Sequence, residues 1–151
     1  MLSTTSEYAL RALTVLAALP QGASILGRDL ARHTGIPARY LSRILTICHN
    51  AGLVNTARGN NGGYWLARPA DSIHIREVVA LFDAAAMKRE CLLWPGRECS
   101  ESHPCTAHRD WRAVRDAYFN FLEAVTVADI SDSNRSAVRQ TPLGPGEGAQ
   151  A

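Results

Sequence analysis

The spacing of apolar residues along the first fifty positions predicts three helices. Thr4 and Glu7 match a capping box, so the first helix is expected to begin there. Its apolar face, at steps of three and four, comprises Leu10, Leu13, Leu16 and Ala17. A short second helix is predicted over residues 27–34, and a third over residues 37–51 with Pro37 in its first turn. Two short helices joined by a glycine-containing turn are typical of a helix-turn-helix.

A pattern typical of strands follows the third helix. Residues 53–56 and 64–67 are predicted to pair as strands around a polar, glycine-rich tip at residues 58–63. A hairpin directly after a helix-turn-helix indicates the wing of a winged helix. The tip is not followed by the Gly-Lys-Ser/Thr sequence of a phosphate-binding loop, so we do not expect a nucleotide site there.

The second half of the chain predicts a helix, a loop and a longer helix. The first helix runs from Ile73 to about Phe82, and residues 83–107, punctuated by Pro and Gly, form the loop. The last helix carries a seam with alternating steps of three and four, made of Trp111, Val114, Tyr118, Phe121 and Val125. In so small a protein, we expect this seam to pack against a second copy of the chain.

Charge divides the chain into a basic front half and an acidic rear half. The whole chain has a net charge of +2, but residues 1–76 carry +5 and residues 77–151 carry −3. A basic front half fits a surface that faces phosphates, as in a DNA-binding helix-turn-helix. The predicted DNA contacts lie on three elements. The third helix supplies Arg39, Tyr40, Ser42 and Arg43, the second helix supplies Arg28 and Arg32, and the wing supplies Arg58, Asn60 and Asn61.

No apolar run reaches the length of a membrane helix. Residues 9–19 resemble the core of a secretion signal, but Glu7 precedes them, Arg11 interrupts them and no basic segment comes first. We therefore expect a cytoplasmic protein. In that compartment, cysteines favour metal binding or redox sensing over structural disulfides.

Three cysteines and a histidine stand close together in the predicted loop and at the start of the last helix. They follow the pattern Cys-x7-Cys-x5-Cys-x2-His and are Cys91, Cys99, Cys105 and His108. Structural zinc sites usually contain cysteine pairs two to four residues apart, which this pattern lacks. Wide spacing suits an iron–sulfur cluster, whose irons separate the ligands. A zinc site and a thiol redox switch remain the alternatives. The fourth cysteine, Cys48, lies on the apolar face of the third helix and is predicted to belong to the hydrophobic core.

An enzyme or redox carrier using Cys105 and His108 is disfavoured. The chain contains no nucleophile motif and no Cys-x-x-Cys pair. The composition and motifs therefore favour a binding protein over a catalyst.

The order of these features resembles the Rrf-two type of bacterial transcription regulators, which includes IscR, NsrR and RirA. The resemblance covers about residues 1–130 and depends on the wing sequence Arg-Gly-Asn-Asn-Gly-Gly-Tyr with three cysteines downstream. It implies a homodimer that binds a palindromic promoter site, as a repressor that senses iron, redox state or nitric oxide. It also implies an iron–sulfur cluster held by the three cysteines near the dimer interface.

The resemblance leaves the cluster type and its fourth ligand open between 2Fe–2S and 4Fe–4S forms. Cys105-Thr-Ala-His108, followed by Trp111, is similar to IscR, in which that histidine is a ligand of a 2Fe–2S cluster. The gap of seven residues between Cys91 and Cys99 is instead similar to the gap in RirA. Glu7 matches the position at which NsrR-like proteins supply an acidic ligand from the partner subunit. Ser42 replaces a glutamate of IscR that helps to discriminate sites, so the operator is expected to differ.

The predicted fold is therefore mainly α with a small β-hairpin wing, a winged helix-turn-helix followed by a long C-terminal dimerisation helix. Residues 1–84 are expected to form the DNA-binding domain and residues 85–107 the cluster-binding loop. Residues 108–130 are expected to form the dimerisation helix, and residues 131–151 a disordered tail.

Overall fold

A computed structural model describes residues 2–59, 62–85, 87–94 and 96–131. Three helices, α1 (Thr4–Ala17), α2 (Gly27–Thr34) and α3 (Ala38–Asn50), form the front of the molecule. α2 ends at Gly35, whose φ of +69° is a left-handed conformation that glycine adopts without a steric penalty. α2 and α3 therefore form the predicted helix-turn-helix, with Pro37 at the N-cap of α3 and not within its first turn.

The capping of α1 differs from the sequence prediction. Ser3 is the N-cap residue, and its hydroxyl accepts a hydrogen bond from the backbone N–H of Ser6 at 3.2 Å. The predicted Thr4–Glu7 capping box is therefore wrong, because Thr4 is already the first helical residue. Serine and threonine are comparable N-cap residues, so the local sequence alone did not separate the two positions.

The wing consists of strands β1 (Val54–Ala57) and β2 (Gly63–Leu66), paired antiparallel with Val54 opposite Leu66. Each strand is displaced by one residue from its predicted bounds. Ile25 extends the pairing on the other side of β2, where it exchanges two backbone hydrogen bonds with Tyr64 at 2.8 and 3.1 Å. A Cβ at Gly63 would lie 2.5 Å from the Ile25 carbonyl oxygen, so this close approach requires glycine. The wing is thus fixed to the segment that leads into α2.

The rear of the molecule contains α4 (Ile75–Phe82), an irregular loop and α5 (His108–Ala124). α5 is shorter than the predicted helix, which was expected to reach residue 130. The chain is extended at Val125 and Thr126, where it exchanges hydrogen bonds with residues 73–75, and residues 127–131 form a further helical turn. The predicted tail lies outside the described residues except for Ser131, which is buried and donates to the Thr14 carbonyl.

A single hydrophobic core joins the front helices, the wing and α4. Its fully buried members include Leu13, Leu30, Leu41, Leu45 and Val78. Cys48 belongs to this core, as predicted, and is 1% exposed. The core fixes the position of α3, and with it the side chains that α3 presents to solvent.

The apolar stripe that α5 exposes differs from the predicted seam. Trp111 and Tyr118 are half-buried, and Val125 lies beyond the end of the helix. The exposed apolar residues of α5 include, at steps of three and four, Val114, Ala117, Phe121 and Ala124. We call these four residues the α5 stripe; its spacing is that of a helix that packs along another helix.

Candidate metal centre and DNA-facing surface

The cysteine-bearing loop is held by main-chain hydrogen bonds and by one anchor to α5. The backbone N–H of Cys91 donates to the Arg97 carbonyl at 2.8 Å, and that of Cys99 donates to the Arg89 carbonyl at 3.1 Å. The indole Nε1 of Trp111 donates to the Glu90 carbonyl at 3.1 Å. These bonds fold residues 89–94 and 96–99 back on each other and fix them against the first turns of α5.

All four predicted metal ligands line one cavity of about 370 Å³. The sulfur atoms of Cys91 and Cys105 are 3.7 Å apart, and the sulfur of Cys99 lies 3.3 Å from Nδ1 of His108. The loop therefore brings together side chains that are up to 17 positions apart in the sequence, at a site enclosed by one chain.

The four donors lie as two pairs. Within the described residues, no three His, Cys, Asp or Glu side chains are close enough together to hold a single metal ion. The Nε2 atom of His108 is buried and has no hydrogen-bond partner in the described part of the chain. A ring nitrogen in that state can be satisfied by a bound group or by a small movement of the loop.

The thiols differ in their acidity according to their surroundings. Hydrogen bonding from the backbone of Leu93 lowers the pKa of Cys91 below its ordinary value, against a smaller desolvation effect. The backbone of Trp94, the Cys105 thiol and the charge of Arg97 lower it further. Burial alone raises the pKa of the core thiol of Cys48 to about 12. Only a thiolate is a good metal ligand or nucleophile, so the loop environment favours metal chemistry at Cys91 and the core suppresses it at Cys48.

Glu7, the other predicted fourth ligand, lies elsewhere. It is an exposed residue of the first turn of α1 and is not among the described residues that line the cysteine cavity. His108, unlike Glu7, lines the cavity together with the cysteines of the same chain, as do His103 and Glu98. The position of a partner subunit's helix would decide whether Glu7 could replace it.

The predicted DNA contacts that lie in the described residues are all exposed. Arg39, Ser42 and Arg43 occupy the outer face of α3, and Arg58 stands at the end of β1 beside the wing tip. Arg28 and Arg32 are 77% and 81% exposed at the side chain, although both lie within 4 Å of the Asp29 carboxylate. Asn60 and Asn61 lie outside the described residues. The exposed arginines form a surface suited to phosphates and base edges.

Tyr40, another predicted DNA contact, is also connected to α1. Its hydroxyl lies 2.5 Å from the Thr5 hydroxyl, and its ring meets that of Tyr8 edge-on, with centroids 5.7 Å apart. Arg11 in turn lies over the Tyr8 ring and donates to the Thr34 carbonyl. The start of α3 is therefore coupled directly to the first turns of α1.

Asp83 is a functional candidate that the sequence did not reveal. It follows α4, at the entrance to the cysteine loop, and its carboxylate accepts hydrogen bonds of 2.7 Å from the Ser3 backbone and the Ser6 hydroxyl. These hydrogen bonds lower the pKa of Asp83 below its ordinary value, although desolvation opposes them. The contact spans 80 positions, and no short-range pattern signals it.

None of the helices in the described residues is long and apolar enough to cross a membrane.

Known proteins resemble this chain in sequence and in structure. Residues 2–133 match the model of the Rrf2 (Rrf-two) family, described as an iron-dependent transcriptional regulator. An HTH-type transcriptional regulator of Mycobacterium tuberculosis is 39% identical over 132 residues, covering 86% of this chain and 80% of that protein. The HTH-type transcriptional regulator IscR of Xenorhabdus nematophila is 29% identical over 153 residues, covering 95% of this chain and 92% of that protein.

Among solved structures, CymR, the global cysteine regulator of B. subtilis, superposes with a TM-score of 0.75. It is 24% identical and covers 88% of this chain and 97% of its own. This likeness shows the fold alone.

Proposed function

Because the chain belongs to the Rrf2 family of DNA-binding transcriptional regulators, which are not enzymes, we propose that an iron–sulfur cluster sets its affinity for DNA. The ligands are Cys91, Cys99, Cys105 and His108. The observation that carries the proposal is the convergence of these four donors on one cavity of a DNA-binding chain.

The donor set fits a cluster in its chemistry. Three thiols and an imidazole are ligands that iron–sulfur clusters accept. The arrangement in two pairs, Cys91 with Cys105 and Cys99 with His108, suits a group with more than one metal atom better than it suits a single zinc ion. When bound, the cluster would supply a redox-active centre whose oxidation, nitrosylation or loss alters the loop.

We propose His108 as the fourth ligand. It lies in the same cavity as the thiols, its Nδ1 points to the Cys99 sulfur, and its other ring nitrogen has no partner among the described residues. Glu7 would have to come from a second subunit. Both 2Fe–2S and 4Fe–4S clusters are compatible with these ligands.

The loop would act on DNA binding through α1. Asp83 connects the entrance of the loop to Ser3 and Ser6, and α1 connects through Thr5 to Tyr40 at the start of α3. A rearrangement around the thiols would shift this contact and, with it, the arginines of α3. The two states that a switch requires are thus the loop folded around its cluster and the loop without it.

We propose that the regulator binds DNA as a homodimer on a palindromic promoter site, with α3 in the major groove. Arg39 and Arg43 would contact bases or phosphates, Arg28 and Arg32 phosphates, and Arg58 the neighbouring minor groove. The exposed α5 stripe supports dimerisation, because Val114 and Phe121 are 62% and 48% exposed on one chain. A repressor that senses iron, redox state or nitric oxide agrees with this assignment.

A thiol redox switch is the second candidate. It is favoured by the 3.7 Å separation of the Cys91 and Cys105 sulfurs, which a small movement would bring to disulfide distance. Hydrogen peroxide would take two electrons from the two thiols, forming the S–S bond and releasing two waters. This candidate requires no metal.

Anaerobic purification separates the two candidates. The cluster predicts a brown protein containing iron and acid-labile sulfide, lost in Cys91→Ala, Cys99→Ala and Cys105→Ala and retained in the matched control Cys48→Ala. A colourless protein that forms a Cys91–Cys105 disulfide with peroxide would favour the thiol switch. One zinc per chain with no visible absorption would also overturn the cluster.

A further inference from the structure

A second cavity, of about 330 Å³, lies between α5 and the segment that leads from α4 into the cysteine loop. Its walls are mainly apolar and include Leu92, Trp111, Val114 and Phe119. A volume of this order with apolar walls is typical of pockets for small molecules. Cys91 lines both this cavity and the cavity of the cysteines.

The cavity contains a cation that its surroundings do not satisfy. Arg115 lines it and is only 8% exposed, yet its Nε and Nη1 atoms have no hydrogen-bond partner in the described part of the chain. Its remaining nitrogen, Nη2, lies 3.4 Å from the Asp116 carboxylate. Arg89 and Arg112 lie within 4 Å of the same carboxylate. Arg112 also pairs with Glu101, so Asp116 is the anion that Arg115 and Arg89 share, and a buried arginine keeps its charge.

A second residue of the cavity wall also carries an unsatisfied polar group. Tyr118 lines the cavity, and its hydroxyl is buried without a partner among the described residues. The unsatisfied N–H groups of the guanidinium and the phenol O–H are all donors, so they suit a ligand that brings a hydrogen-bond acceptor with negative charge, such as a carboxylate. The apolar walls would then hold the rest of the molecule. Lys88 and Glu90, which also line the cavity, form an ion pair with each other at 3.8 Å.

The cavity and the α5 stripe lie on different faces of the helix. Arg115, Tyr118 and Phe119 face the chain's own loop, whereas Ala117, Phe121 and Ala124 lie about a third of a turn away. Only Val114 belongs to both. A second copy packed on the stripe would therefore cover the edge of the cavity and leave its interior to another occupant.

We propose that this cavity is a binding site for a small monocarboxylate with an aromatic or branched apolar body. The carboxylate binds Arg115 and Tyr118, and the apolar body packs on Trp111 and Phe119. Because Cys91 forms part of the wall, the occupant contacts the same residue that borders the cysteine cavity. The regulator thus has a site for a small carboxylate beside its site for a metal group. Binding of the carboxylate does not depend on which metal group the cysteines hold.

The test uses phenylacetate and its neutral counterpart phenylacetamide, titrated calorimetrically into the anaerobically purified full-length chain. Phenylacetate is expected to bind saturably, at least about tenfold more tightly than the amide, because only the acid pairs with Arg115. Arg115→Met should remove that preference, and Tyr118→Phe should weaken the binding of phenylacetate by about threefold. Arg109→Met, which changes an exposed arginine of the same helix, should bind as the wild type does.

Three results would overturn the proposal. Equal affinities for acid and amide on the wild-type protein, or no binding of either, would exclude a carboxylate site even if Arg115→Met failed to fold. A shift of Arg115→Met from dimer to monomer in sedimentation, without any phenylacetate binding by the wild type, would assign the arginine to a contact between subunits.

Discussion

The winged-helix unit, residues 2–82, and the cysteine loop, residues 83–107, differ in what stabilises them. The unit contains a core of fully buried leucines, such as Leu13 at 0% exposure. The loop leaves its large apolar side chains in solvent, with Leu93 at 49% and Trp94 at 59%. Its donors are positioned by main-chain hydrogen bonds and by Trp111 rather than by a core of its own. A bound group would therefore contribute most to the stability of the loop and least to that of the winged-helix unit.

The same substitution in the two regions should give the largest contrast. Leu13→Ala is expected to reduce the free energy of unfolding by about 2–5 kcal/mol, because it leaves a cavity in the core. Leu93→Ala should change it by less than about 0.5 kcal/mol, because that side chain is half in solvent. Urea unfolding followed by circular dichroism measures both. A comparable loss at Leu93 would show that the loop has a core after all.

The second largest contrast is expected between the reactivity of a thiol in the loop, Cys91, and that of a thiol in the core, Cys48. At pH 7, a thiol with a pKa of about 12, such as Cys48, is ionised in about one molecule in a hundred thousand. Cys91, with its lowered pKa, should be alkylated by iodoacetamide at least about a hundredfold faster in the metal-free protein. Mass spectrometry of peptides over time measures the two rates. Equal rates would mean that Cys48 is not held in the core.

The DNA-facing surface should show an intermediate effect without loss of stability. Arg39→Ala and Arg58→Ala are each expected to weaken binding about tenfold, on a duplex selected from a random library by the protein. Arg109→Ala, exposed on α5, serves as the matched loss of one positive charge. Fluorescence anisotropy over a range of salt concentrations gives the affinities. If all three variants bound alike, overall charge and not the winged helix would account for binding.

The contact between the two regions should have the smallest effect on stability. The pKa of Asp83 is lowered on folding, so its contribution is present above the unfolded pKa near 4 and is lost as the pH falls through the folded value. Asp83→Asn should therefore lower stability at pH 7 by less than about 1 kcal/mol. The difference from the wild type should close as the pH falls below the folded pKa of Asp83, measured by thermal unfolding across pH. A difference that persists in acid would assign the effect to something other than the carboxylate.

The sequence predicted most accurately the helices and strands whose apolar residues recur at regular spacing and are buried on one face. α2 has its predicted bounds, and α3 and the wing strands lie within one residue of theirs, because repeated apolar positions select one face for the core. Ser3 in place of Thr4 at the start of α1, and the end of α5 at Ala124, depended on contacts made elsewhere in the fold. The spacing of Cys91, Cys99, Cys105 and His108 predicted them as one set, and the fold places all four along one cavity.

Contacts between distant segments could not be predicted. Asp83 bonds to Ser3 across 80 positions, and the burial of Arg115 depends on how the loop folds over α5. Neither an isolated aspartate after a helix nor an arginine within a charged helix carries a local signal of such a role. The α5 stripe was displaced from the predicted seam for the same reason, since Trp111 and Tyr118 turn toward the chain's own loop.

If the occupied loop governs the DNA-binding unit, one preparation of the protein should bind DNA with different affinities in two states. The dissociation constant of the wild-type protein is measured anaerobically, cluster-loaded and after removal of iron by a chelator, on duplexes selected by each state. We predict affinities that differ at least about tenfold between the states, and no difference for Cys99→Ala. Equal affinities in the two wild-type states would contradict the account.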